Sequence, residues 1–248
     1  MAIKDNLLRI QEKIAAAAAR SGRRAEDITL IGVSKTHPAI AIQEAYQAGV
    51  RHFGENRVQE WEFKRVGTNN LDATWHLIGH LQSNKAAKAA KMFHTVDSVD
   101  DLALAQKLDR ARGEATSSAK LRVLLEVRVE REETKSGVEI AALPELAEKV
   151  AALPHLDLVG LMCIPPFFDQ PPVPPLEAGL PPHPVSLDHP VRPFFRRLRE
   201  LRDELKTKLG LPLPVLSMGM SHDFEVAIEE GATEVRVGTA LFGGRLQR

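Results

Sequence analysis

The sequence predicts an α/β fold, a (β/α)8 TIM barrel with an additional N-terminal helix, in a single domain covering residues 1–248. Three observations predict it. Eight short apolar segments of strand character each run into a segment of helical character, which implies right-handed crossovers and a parallel sheet. The length, 248 residues, is ordinary for one such barrel. No Gly-x-Gly-x-x-Gly follows the first strand, which counts against the competing open, doubly wound sheet of a dinucleotide fold.

The elements follow in order. Residues 1–22 carry charges throughout and read as an amphipathic helix, not a signal peptide. The first strand is "DITLIGVSK" (27–35), and Pro38 opens a helix that closes near Gly49. "RHFGEN" (51–56) is the second strand, before a helix carrying Trp61; "TWHLIG" (74–79) is the third, before helix 83–92. "FHTVDS" (93–98), "KLRVLLEVRVE" (120–130) and "LDLVGLMCIP" (156–165) are the fourth to sixth strands. A helix over 193–210 precedes "PVLSMG" (214–219), and "TEVRVG" (233–238) is the eighth strand, with a short helix behind it. One segment breaks the rhythm. Residues 165–193 hold eleven of the sixteen prolines, and proline fixes φ and removes a backbone donor. This stretch reads as an extended insertion after strand six, or as a lid or docking segment.

Bulk properties exclude several function classes. Lys and Arg number 33 against 33 Asp and Glu, so no net charge draws the chain to nucleic acid or an anionic membrane surface. No apolar run approaches the roughly 18–20 residues that span a bilayer. The single cysteine, Cys163, excludes an internal disulfide framework and fits a reducing, cytoplasmic setting.

In a barrel, functional groups lie where strands end. Alternation puts Thr29, Ile31, Val33 and Lys35 on one face of strand one, and Glu234, Arg236 and Gly238 on one face of strand eight. Val235 and Val237 belong against the outer helices, so Arg236 points inward, and closure of the barrel brings it towards Lys35. Two neighbouring cations favour a neutral amine, as Schiff-base chemistry requires. Taken singly, Lys35 also fits a strand-end lysine, and Arg236 a core arginine paired with a carboxylate. "SMGMSHD" (217–223) and "VGTALFGG" (237–244) place Ser217, Ser221, Gly238 and Thr239 just before helices, where free N–H groups and hydroxyls suit a phosphate. Ser221 and Thr239 also read as ordinary N-caps. Asn56 ends strand two at the same mouth. A lysine for an aldehyde, a phosphate cradle and an arginine between them suit pyridoxal 5′-phosphate, with Arg236 leaving the pyridine nitrogen unprotonated. No metal site is expected: His76 and His80 lack a His-Glu-x-x-His context and read as structural. Lys85 reads as helix surface, and Lys135 in "ETKSGV" as a solvated loop.

The segments "GVSKTHP", "HFGENRVQE", "WHLIGHLQSNK", "ETKSGV", "GLMCIPP" and "LSMGMSHDFEVAIEEGATEVRVGTALFG" occur in this order. Together they resemble the YggS/PROSC family of pyridoxal phosphate homeostasis proteins over roughly residues 5–245. The resemblance implies the barrel of the alanine racemase N-terminal domain and an internal aldimine between Lys35 and pyridoxal phosphate. It also implies Arg236 at the pyridine nitrogen, Ser217, Ser221, Gly238 and Thr239 around the phosphate, and Asn56 beside the cofactor. The proline-rich run is longer than this family leads one to expect, and the resemblance assigns it no role.

Three functions then compete. The first is a carrier that holds the cofactor without turnover and passes it on, through transient contact with apoenzymes that depend on it. The second is a small pyridoxal-phosphate enzyme of racemase type with Lys35 as its only base. The third is a lysine Schiff-base aldolase acting on a phosphorylated sugar without cofactor. Racemisation needs a second proton donor on the opposite cofactor face, and the single tyrosine, Tyr46, lies on a helix away from any strand end. The chain stops soon after strand eight, so a second domain that would supply such a base is not expected. For the same reason the expected state is a monomer, with no catalytic residues assigned.

Overall fold

The computed structural model describes residues 2–115, 119–130, 136–168 and 189–244. Eight parallel strands close into a barrel: β1 (Thr29–Val33), β2 (His52–Glu55), β3 (Thr74–Leu77), β4 (Thr95–Val99), β5 (Leu121–Arg128), β6 (Leu156–Met162), β7 (Val215–Ser217) and β8 (Glu234–Val237). Each pairs with the next, and β8 pairs back onto β1, with Ile31 opposite Arg236. Closure is complete, as the alternation of elements predicts.

The strands read as apolar because both faces are covered. Outward-facing Val96, Leu125, Val235 and Val237 are buried against the surrounding helices. Each such side chain contributes about 1.5–3 kcal/mol when fully buried. On the inner face, Leu124, Val159, Met162 and Val215 form a separate small cluster. The helices are α1 (Ile3–Arg20), α2 (Ala39–Ala48), α3 (Val58–Lys64), α4 (Ala86–Met92), α5 (Leu102–Gly113), α6 (Leu143–Ala151), α7 (Arg192–Leu209), α8 (Phe224–Glu229) and α9 (Thr239–Phe242). Local chemistry sets their ends. Asp101 Oδ1 accepts a hydrogen bond from Leu104 N at 2.8 Å and caps α5. α2 starts after Pro38 and stops at Gly49, whose φ of 122° few other residues would accept.

The additional helix α1 buries Leu7, Ile10, Ile14, Ala17 and Ala18, spaced as one helical stripe. It packs on α8, α2 and α9, across the seam where β8 meets β1. Arg20 Nε donates to Glu229 Oε1 at 2.7 Å and holds its last turn to α8.

Two details depart from the sequence reading. A two-residue strand, Val138–Glu139, pairs with Val127 and Arg128 beyond the barrel rim, in a region read as loop. Two residues carry too little periodicity to announce a strand. The helix expected over 83–92 begins as a 3-10 turn, Ser83–Lys85. The bulk of the proline-rich insertion, 169–188, and Lys135 lie outside the described residues.

Candidate functional site

A cleft of about 200 Å³ opens at the C-terminal ends of β1, β2, β7 and β8. Lys35, Asn56, Ser221, Arg236, Gly238 and Thr239 all line it, six of the seven residues expected from the strand ends. Val33, Ile78, Ile164 and Met220 give it apolar walls, and His222 adds an imidazole. His222 and Met220 escaped sequence reasoning. They sit in the "SMGMSHD" loop, whose signal lay in its serines and glycine.

Lys35 is not a strand residue. β1 stops at Val33, and Lys35 occupies the second position of a turn closed by His37 N donating to Ser34 O at 3.0 Å. Thr36, at the third position, has φ 66°, a conformation that a turn of this kind demands and that a threonine adopts only under constraint. The constraint is visible. Glu60 Oε1 accepts from Thr36 N at 2.5 Å. Lys64 Nζ donates to Ser34 O at 2.7 Å and to Glu55 Oε1 at 2.8 Å, and pairs with Glu60 at 2.7 Å. Ser34 Oγ donates to Glu55 Oε1 at 2.6 Å. Glu55 is fully buried at the end of β2. Burial pushes its carboxyl up, while Lys64 and Ser34 pull it back down. One ion-pair network on β2 and α3 thus shapes the backbone around Lys35. Sequence reasoning missed Glu55, Glu60 and Lys64, because they act on the site through a turn and not by facing it.

Arg236 is 4% exposed, facing the barrel interior as alternation requires. Its Nη1 donates to Ser217 Oγ at 2.9 Å and its Nη2 to Cys163 O at 2.8 Å. Ser217 therefore lies beneath the arginine, fully buried, and not in the wall of the cleft. Cys163 is also fully buried, and desolvation pushes its thiol up to about 12, so it is no nucleophile at neutral pH. Ser221 Oγ accepts from Ala240 N at 3.4 Å, tying the loop after β7 to the first turn of α9. Gly79 sits so close to Asn56 that a Cβ there would meet Asn56 O at 2.5 Å; this approach packs the end of β3 against that of β2.

An adjoining cleft of about 250 Å³ shares Asn56, Ile78 and Ile164 and reaches Glu126. Desolvation and, behind it, Asp100 raise the Glu126 carboxyl to about 7, against the pull of Arg236. A larger groove of about 520 Å³ lies at the opposite end of the strands, beside α1, and none of the expected site residues lines it. His76 is buried inside the barrel, whereas His80 is exposed and pairs with Asp100 at 3.5 Å. Lys85 borders a separate groove beside Arg57 and Gln59. No helix among the described residues is long and apolar enough to cross a membrane.

The donor set around the first cleft is one primary amine, one buried guanidinium, two hydroxyls, an amide and a glycine. It fits a small aldehyde that bears an anionic group and an aromatic nitrogen. Comparisons with known proteins agree in kind. Residues 2–246 match the family described as alanine racemase, N-terminal domain. A pyridoxal phosphate homeostasis protein of Aquifex aeolicus is 44% identical over 241 residues, covering 97% of both chains. The structure of PipY from Synechococcus elongatus with PLP bound is 39% identical, with a TM-score of 0.78 over 97% of this chain and 100% of that one. Alanine racemase from Corynebacterium glutamicum, 17% identical, shares the fold with a TM-score of 0.64, over 99% of this chain and 63% of its own.

Proposed function

Because this chain belongs to the pyridoxal phosphate homeostasis protein family, we propose that it binds pyridoxal 5′-phosphate in the cleft where β1, β2, β7 and β8 end. The observation that carries the reading is that Lys35, Arg236, Ser221, Gly238 and Thr239, drawn from three strand ends, line one small cleft. The cofactor supplies a reactive aldehyde on an electron-withdrawing ring. Lys35 provides the amine that holds this aldehyde covalently, with loss of water. Ser221, Gly238 and Thr239 receive the phosphate, and Asn56 flanks the ring. Arg236 faces the ring nitrogen. A guanidinium does not release a proton at neutral pH, so it leaves that nitrogen unprotonated and the ring a weak electron sink.

The chain in this reading stores and hands over the cofactor to apoenzymes without turnover, in the cytoplasm and as a monomer. Tyr46 supports the absence of racemisation. It belongs to α2, and the Arg51 guanidinium sits 4.1 Å from the centre of its ring, outside the barrel. One observation favours a second reading, a small pyridoxal-phosphate enzyme: His222 lines the same cleft and is a proton carrier by type. Purified chain mixed with pyridoxal phosphate separates the possibilities. The carrier reading expects a visible absorption band lost in Lys35→Ala, and α-proton exchange of amino acids in deuterated water no faster than with free cofactor. Lys35-dependent exchange well above that background would establish the enzyme instead. Sedimentation at micromolar concentration tests the monomer, which a stable dimer would refute.

A further inference from the structure

Inside the barrel lies a second polar cluster that the cleft does not use. His76 on β3, Asp97 on β4 and Glu234 on β8 each present a donor atom, and these atoms all lie within 4.8 Å of one another. His76 and Asp97 are fully buried, and Glu234 is 5% exposed. His76 Nδ1 and Asp97 Oδ2 have only their mutual 3.4 Å ion pair, and Asp97 Oδ1 and Glu234 Oε2 have no hydrogen-bond partner. Nor has the buried Thr95 Oγ1, two residues before Asp97 on the same face of β4. Buried polar atoms are nearly always satisfied, and so many orphans converging from three strands call for an occupant.

From this geometry we propose that the barrel interior binds one divalent transition-metal ion of the zinc class, through His76, Asp97 and Glu234. Mixed imidazole and carboxylate donors suit zinc and its neighbours; magnesium and calcium prefer oxygen alone. The surroundings match what such ions usually have. His52 Nδ1 lies 3.1 Å from His76 Nε2 and fixes the ring through its second nitrogen, while Nδ1 stands 3.4 Å from Asp97 Oδ2. Arg122 and, more weakly, Arg236 act on Glu234 from β5 and β8, but neither donates a hydrogen bond to the orphaned oxygens. The site departs from the sequence reading of His76 as structural. Ligands drawn one each from three strands leave no spacing to recognise. Glu234 precedes Arg236 by two residues on the inner face of β8, so an ion here would brace the strand that carries the arginine.

The full chain, stripped with a chelator and titrated with Co2+ or Zn2+, tests this. The expected result is one ion per chain, ligand-field bands with Co2+, and a rise in Tm of about 5 °C at saturating Zn2+. Asp97→Asn and Glu234→Gln should each weaken binding at least about 10-fold. His155→Asn, which removes an exposed histidine 3.4 Å from Asp109, should leave it unchanged. Wild-type chain that shows neither the bands nor the Tm rise overturns the proposal, whether or not the variants fold. So does metal binding of equal strength in Asp97→Asn and Glu234→Gln chains with native circular dichroism, which would leave the cluster to water and shared protons.

Discussion

Lys64 bears on the cleft without touching it. Its ammonium donates to Ser34 O, Glu55 and the turn-holding Glu60, at 10% side-chain exposure. Replacing it by alanine strands Glu55 as a buried, unpaired carboxylate, and losing one partner of a buried pair costs roughly 3–5 kcal/mol. Lys64→Ala should therefore unfold at markedly lower urea concentration and bind pyridoxal phosphate more weakly. An unchanged midpoint would show that the turn around Lys35 stands without the network. Glu126 makes a pH prediction. Its folded pKa is raised from 4.5 to about 7, so the folded chain holds a proton there that the unfolded chain has already lost. Stability from this group is present below pH 4.5 and lost as pH rises through 7. Glu126→Gln, which cannot ionise, should gain on wild type by roughly 2–3 kcal/mol between pH 5 and pH 8 in paired urea titrations. A constant offset across that range would place Glu126 in water.

At the scale of elements, the barrel depends on close approach between strands. A Cβ on Gly160 of β6 would stand 1.9 Å from Val215 O on β7, where no side chain can yield because the obstacle is backbone. Gly160→Ala should cost roughly 3 kcal/mol or more, seen as a large drop in Tm; a drop under about 2 °C would mean the two strands can part without loss. The elements themselves were legible because both signals were strong: strands buried on two faces read as continuous apolar runs, and helices carry stripes and caps. Arg236 was legible for the same reason, since Val235 and Val237 left it only the inner face. Lys35 reached the expected cleft by another route, a turn with a positive φ at Thr36, because alternation ends where the strand does. Ser217 sits beneath Arg236 and outside the wall of the cleft. Sequence places it at a strand end, but whether a hydroxyl meets solvent or a neighbouring guanidinium depends on the length of β7. The network of Glu55, Glu60 and Lys64 was illegible, since charged residues on a helix, such as Glu60 and Lys64, usually mean a solvated face, and nothing in the sequence pairs them with a carboxylate at the end of β2.

For the whole molecule, the arrangement is a closed ring with the candidate site at one rim. β8 carries Arg236, β1 delivers the turn with Lys35, and α1 clamps the seam between these two strands from outside. The lysine thereby sits beside that seam, and the cleft is bounded on one side by residues next to the proline-rich segment, such as Ile164. In the proposed binding mode Lys35 is the covalent attachment point. Incubation with pyridoxal phosphate, reduction with borohydride and peptide mapping by mass spectrometry read this directly. One stable adduct per chain is expected, on the peptide carrying Lys35, and it should be lost in Lys35→Ala. An adduct of undiminished yield in that variant, or one spread over surface lysines such as Lys85 and Lys88, would contradict it.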